Sequence, residues 1–170
     1  MICSVHRKRT AIVLAIIVSL GTLTGCPKGN SSQPQRSKLE QARRDIVTQV
    51  DRASGALTAI GEAKRQLAAN GTLSRDEELP LTNALLDANS VATEIKDFGN
   101  GLKDFTAADK QSLLALFDKG LKSISALNDA GVLKIKNPEA RSNINTLVIT
   151  VRTALAAARA IAAALDAASN

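Results

Sequence analysis

Ser37-Lys38-Leu39-Glu40-Gln41-Ala42-Arg43-Arg44-Asp45-Ile46 opens a stretch that runs on to Asn70-Gly71, and its spacing decides the fold. Leu39, Ile46, Ala53, Ile60 and Leu67 recur every seven residues, and Ala42, Val50, Leu57 and Ala63 fill the same face. Apolar side chains at that interval form one stripe of an α-helix, which needs other helices to cover it. Ser37 and Glu40 have the capping-box spacing, in which a hydroxyl and a carboxylate three residues on satisfy free backbone N–H groups. Gly71 suits a left-handed cap at the other end. The stretch predicts a helix over residues 37–70, roughly 50 Å long at 1.5 Å per residue. Its other face carries Arg43, Arg44, Arg52, Lys64 and Arg65. These read as a solvated surface, with a lipid-headgroup patch as the alternative.

Three more helices follow. Leu81, Leu85, Ala88, Ala92 and Ile95 define a second helix over residues 77–98, ended by Gly99-Asn100-Gly101. Ser74-Arg75-Asp76-Glu77 offers another capping box, but Pro80 fits only near a first turn, so a separate short turn is expected at residues 73–76. The acidic run Asp76-Glu77-Glu78 complements a helix dipole; a cation site is the sharper and less favoured reading. Thr106 is a good N-cap for a third helix, with Leu113, Leu116, Phe117, Gly120, Ile124 and Leu127 inward and its end at Ala130. Gly120 marks a close helix crossing. Val132-Leu133-Lys134-Ile135-Lys136 alternates apolar and basic residues but has no second strand to pair with, so it should lay an apolar side chain against one end of the bundle. Asn137-Pro138 then starts a fourth helix over residues 138–168.

That last helix differs from the others in its outer surface. After Thr150 its only charges are Arg152, Arg159 and Asp166, seven residues apart on one narrow stripe. A helix with so little polar surface is usually covered on more than one side. We expect its neighbours to wrap it; otherwise a second copy covers its alanine face and makes a homo-oligomer. Four amphipathic helices with short connections predict an all-α, four-helix antiparallel bundle with long first and last helices, over residues 37–170.

Upstream, Pro27-Lys28-Gly29-Asn30-Ser31-Ser32-Gln33-Pro34-Gln35-Arg36 reads as a flexible tether. Before it come a basic segment, His6-Arg7-Lys8-Arg9, an apolar run from Thr10 to Leu20, and small residues from Gly21 to Gly25. These are the three parts of a secretory signal. The apolar run is too short for a stop-transfer helix, which needs about 20 such residues. An uncleaved anchor helix is the less favoured alternative.

Leu23-Thr24-Gly25-Cys26 at the end of that signal resembles the lipobox of bacterial lipoproteins. The resemblance covers residues 1–26 only. It implies cleavage after Gly25 and a diacylglyceryl group on the sulfur of Cys26, often with a third acyl chain on its amine. It also implies an exported protein held at the membrane by lipid. Pro27, where other lipoproteins have aspartate, resembles those sent to the outer membrane of bacteria that have two. Two or three long acyl chains hold firmly, since each buried CH₂ contributes about 0.8 kcal/mol.

The 170-residue chain has 22 Lys and Arg against 16 Asp and Glu. Three of the basic residues, Arg7, Lys8 and Arg9, leave with the signal, so the mature excess falls from +6 to +3. Basic and acidic residues are interspersed, which argues against a nucleic-acid partner. Cys3 and His6 are also lost, leaving Cys26 as the only cysteine and no His, Trp or Tyr at all. That removes the commonest general base and metal ligand. No phosphate loop, zinc pattern or nucleophile elbow occurs. We therefore expect neither an enzyme nor a cofactor, and no catalytic or metal residue. The expected role is a membrane-anchored structural or protein-interaction module of the cell envelope, with an envelope protein as partner. A carrier of a small apolar ligand inside the bundle is the alternative.

Overall fold

Each of the four amphipathic stretches forms an α-helix. The computed structural model describes residues 33–101 and 105–165. Within them α1 spans Gln33–Ala69, α2 Arg75–Gly101, α3 Ala107–Ala126 and α4 Pro138–Ala164. A π-helical turn, Leu127–Gly131, and a 3₁₀ turn, Val132–Lys134, connect α3 to α4. No strand occurs among the described residues. α1 and α3 each pack on both α2 and α4, which closes a four-helix ring.

Hydrogen bonds at the ends fix the antiparallel order. Arg43, early in α1, donates to the carbonyl of Asn100 at the end of α2 over 3.3 Å. Lys110, in the first turn of α3, donates to the carbonyl of Leu165, just past α4. The other end of the bundle holds the α1–α2 turn and the π and 3₁₀ turns.

The heptad residues of α1 face inward as their spacing requires: Ile46, Val50, Ala53, Leu57 and Ile60 are buried, and Leu39, Ala63 and Leu67 pack at the margin. They meet Leu81, Ala88 and Ile95 of α2, Leu113, Phe117 and Ile124 of α3, and Ile144, Val151 and Leu155 of α4, all buried. Burying one such large side chain contributes about 1.5–3 kcal/mol, so this shared interior holds the helices together. Gly120 sits where a side chain would crowd three helices: a Cβ there would lie 3.3 Å from Ile95 Cδ1 and 3.4 Å from Leu155 Cδ1. At the end of α1, Gly71 takes φ 69°. The N–H of Thr72 bonds the Leu67 carbonyl at 2.8 Å and that of Gly71 the Ala68 carbonyl at 3.0 Å, the paired bonds of a Schellman cap.

Several boundaries differ from the sequence reading. α1 starts at Gln33, so Ser37 lies inside the helix instead of capping it. Pro34 is then the second helical residue, where no intrahelical N–H is needed. α2 starts at Arg75 and runs through Pro80 without a separate turn. The carbonyl that Pro80 leaves without a donor belongs to Asp76, an exposed residue that water can reach. The connector forms a 3₁₀ turn, not an extended segment, and buries Val132 and Ile135 while Leu133 faces out. α4 ends at Ala164, because Leu165 turns to extended backbone at φ −69° and ψ 128°.

The expectation that neighbours wrap α4 is wrong. α4 buries one face, from Ala140 through Ile144, Val151 and Ala158 to Ala162. Ala156, Ala160, Ala163 and Ala164 are exposed, and so is Ile149, at 55%. Alanine raises mean hydropathy while adding little area to bury, and it is the best helix former. The composition of α4 therefore reflects helix strength more than enclosure. By length and composition alone α4 could cross a membrane, but a core helix passes the same test.

Candidate functional site

The acidic run at the start of α2 separates into different roles. Glu77 is 6% exposed and turns inward. Its Oε2 accepts the N–H of Ser74 at 2.8 Å and also the Ser74 hydroxyl. Its Oε1 accepts the N–H of Lys136, 59 residues on, at 2.7 Å. The Ser74 hydroxyl, then the two backbone donors, hold the Glu77 carboxyl down from 4.5 to about 2. Glu78 pairs instead with Lys64 at 3.2 Å, and Asp76 faces out. The run forms no cation site, and among the described residues no cluster of three or more His, Cys, Asp or Glu could hold a metal. Lys64, expected on the solvated face of α1, has a side chain only 12% exposed and also donates to Thr82 at 2.8 Å.

The seam between α3 and α4 carries the two arginines seven residues apart. Arg159 is neutralised: its Nε donates to Asp118 Oδ1 at 2.7 Å and its Nη2 to Asp118 Oδ2 at 3.3 Å. Each partner stabilises the charge of the other, so the Asp118 carboxyl lies below its usual range and the Arg159 guanidinium above. In an antiparallel pair the next rung joins Arg152 to the residue seven beyond Asp118, which is Ser125. That position has no carboxylate. The Ser125 hydroxyl is engaged by its own helix, donating to the Leu121 carbonyl at 3.2 Å.

A cleft of about 310 Å³ opens at this rung, above the buried Ile124 and Val148. Ser125, Asn128 and Asp129 form one wall; Asn145, Ile149 and Arg152 form the other. The π turn builds the first wall. Gly131 closes that turn against α2 so tightly that a Cβ would sit 2.8 Å from Leu81 Cδ1 and 3.1 Å from Leu81 Cα. Only glycine allows this approach, and the wider winding before it sets Asn128 and Asp129 over α4. Asn128 Nδ2 donates to Asp129 Oδ1 at 3.2 Å. Arg152 and the Asn145 amide have no hydrogen-bond or ionic partner among the described residues. The sequence reading noticed the arginine spacing but missed the cleft. Comparing Asp118 with Ser125 along α3 is the signal that could have shown it.

Cys26, the expected lipidation residue, lies outside the described residues, as do the expected signal at 1–25 and the expected tether up to Ser32. No protein-family model, curated protein or solved structure matches this chain.

Proposed function

We propose that the protein is a lipoprotein of the bacterial cell envelope, anchored by acyl chains on Cys26, whose helical bundle serves as a non-catalytic structural or protein-interaction module. The observation that carries this reading is Leu23-Thr24-Gly25-Cys26 placed directly after a basic segment and a short apolar run. Supporting it, the chain after Cys26 contains neither histidine nor cysteine, which leaves little for acid–base or thiol chemistry. An envelope protein partner, or a second copy of this chain, would meet the exposed small-residue side of α4. With two membranes, Pro27 favours the outer one. The alternative of an apolar-ligand carrier gains no support from the α3–α4 cleft, which is edged by polar groups.

Expression with a labelled fatty acid tests the anchor. The native chain should take up label and lose residues 1–25, whereas Cys26→Ser should stay unlabelled and full length. A Cys26→Ser protein that is processed normally and retained in the membrane would overturn the assignment.

A further inference from the structure

We infer that the α3–α4 cleft binds a zwitterion of amino-acid size, with its carboxylate on Arg152 and its ammonium group on Asp129. The inference does not rest on the lipid anchor, so either can fail without the other.

Four observations lead to it. Arg152 and Arg159 lie seven positions apart along the seam, and among the described residues Arg159 has a carboxylate, Asp118, while Arg152 has none. Arg152 is thus a guanidinium with no anion beside it among the described residues, and a planar carboxylate matches its fork. Asn145 stands two turns further towards the start of α4 on the same wall, with its side-chain amide also without a partner among the described residues. Asp129 faces the cleft from the π turn with one oxygen occupied by Asn128 and the other open. Opposite charges on two walls that do not pair with each other leave both for a ligand carrying both signs.

The same charges define what is refused. Phosphate would find Arg152 but be repelled by Asp129, and a simple amine would find the reverse. The space, about 310 Å³, lies at the small end of ligand sites. The buried Ile124 and Val148 beneath, and the exposed Ile149 beside them, offer contact to a short aliphatic side chain. Alanine is therefore the probe, with acetate, methylammonium and phosphate as its dissected parts.

Titration of the full chain in detergent micelles, followed by NMR at the Arg152 Nε–H and the Asn145 amide, reads binding directly. Alanine should shift both signals saturably, with an affinity of about a millimolar, as suits an open site. Acetate, methylammonium and phosphate should each bind at least about tenfold more weakly, since each loses a charge-assisted hydrogen bond or meets a like charge. Arg152→Ala and Asp129→Asn should each weaken alanine by a similar factor, and Arg159→Ala should leave it unchanged. Circular dichroism confirms that each variant remains helical. No saturable response to alanine would overturn the inference. So would equal binding of acetate or phosphate, or unaltered binding by folded Arg152→Ala.

Discussion

α2 and α3 both open with a carboxylate that reaches back three residues to the N–H and hydroxyl before the helix, and they use it over different distances. At α3, Thr106 accepts the N–H of Asp109 at 3.2 Å, and Asp109 Oδ2 accepts the N–H and hydroxyl of Thr106 at 2.9 and 2.7 Å. Every bond stays within four residues. At α2, Glu77 serves Ser74 with one oxygen and uses the other to hold the Lys136 N–H. The additional methylene of glutamate and the buried position turn a helix cap into a tie between distant segments. A capping motif thus fixes a helix start wherever it occurs, while its contribution to tertiary structure depends on what its second oxygen can reach.

The largest effect should come from cutting that tie. Glu77→Ala removes the cap and also leaves the Lys136 N–H without its acceptor, whereas Asp109→Ala loses only local bonds. Thermal unfolding followed by circular dichroism should show a fall in Tm for Glu77→Ala at least about twice that for Asp109→Ala, because a stranded donor costs more than an exchanged one. Equal losses would mean that the bond to Lys136 contributes nothing. Acid offers a second way to break the comparison. Since the folded pKa of Glu77 is depressed from 4.5 to about 2, its contribution is complete above the unfolded value and is lost as pH falls through that interval. The difference in Tm between the native chain and Glu77→Gln should therefore shrink steadily from pH 4.5 towards 2.

Gly131 comes next, because it ends the π turn just before the segment that carries Lys136. Ala at this position meets the backbone of Leu81 at 3.1 Å as well as its side chain, and overpacking of that kind costs about 1–3 kcal/mol. Gly120→Ala is the control. Its new Cβ would press only on side-chain ends at 3.3 Å or more, and the gain in helix propensity, up to about 1 kcal/mol, works against that cost. Urea unfolding should separate the two variants clearly. Similar losses would show that the approach of Gly131 to Leu81 is looser than its geometry implies.

The inward face of each helix was legible because one residue every three or four must be apolar for a bundle to close, and Leu81, Phe117 and Ile144 could hardly lie elsewhere. Caps at Gly71, Thr106 and Asn137 were legible for a similar reason, as each acts within a few residues. What escaped depended on partners distant in the chain. Glu77 looks like any dipole-complementing carboxylate until Lys136 is brought beside it. Gly131 looks like a helix stop until Leu81 is packed against it. The polar cleft was hidden because its defining feature is a carboxylate that Ser125 does not supply. The misreading of α4 had another origin: alanine counts as apolar in a pattern, yet its exposure costs so little that nothing obliges a neighbour to cover Ala156 or Ala160.

The smallest expected effect sharpens the comparison most. Thr106→Ala should destabilise the bundle by about 1 kcal/mol, the usual cost of losing an N-cap hydroxyl. Combined with Asp109→Ala it should cost less than the two separate losses together, because the two side chains bond each other and the first deletion already removes part of what the second would. Combined with Glu77→Ala it should be additive. The α2 and α3 starts lie at opposite ends of the antiparallel bundle, separated by the 27 residues of α2, about 40 Å at helical rise. Additivity in the second pair and its failure in the first, measured by urea unfolding, would establish that one box acts locally and independently of the other. Coupling between Thr106 and Glu77 would instead mean that the bundle transmits strain along α2, and the contrast between a local cap and a long-range tie would no longer hold.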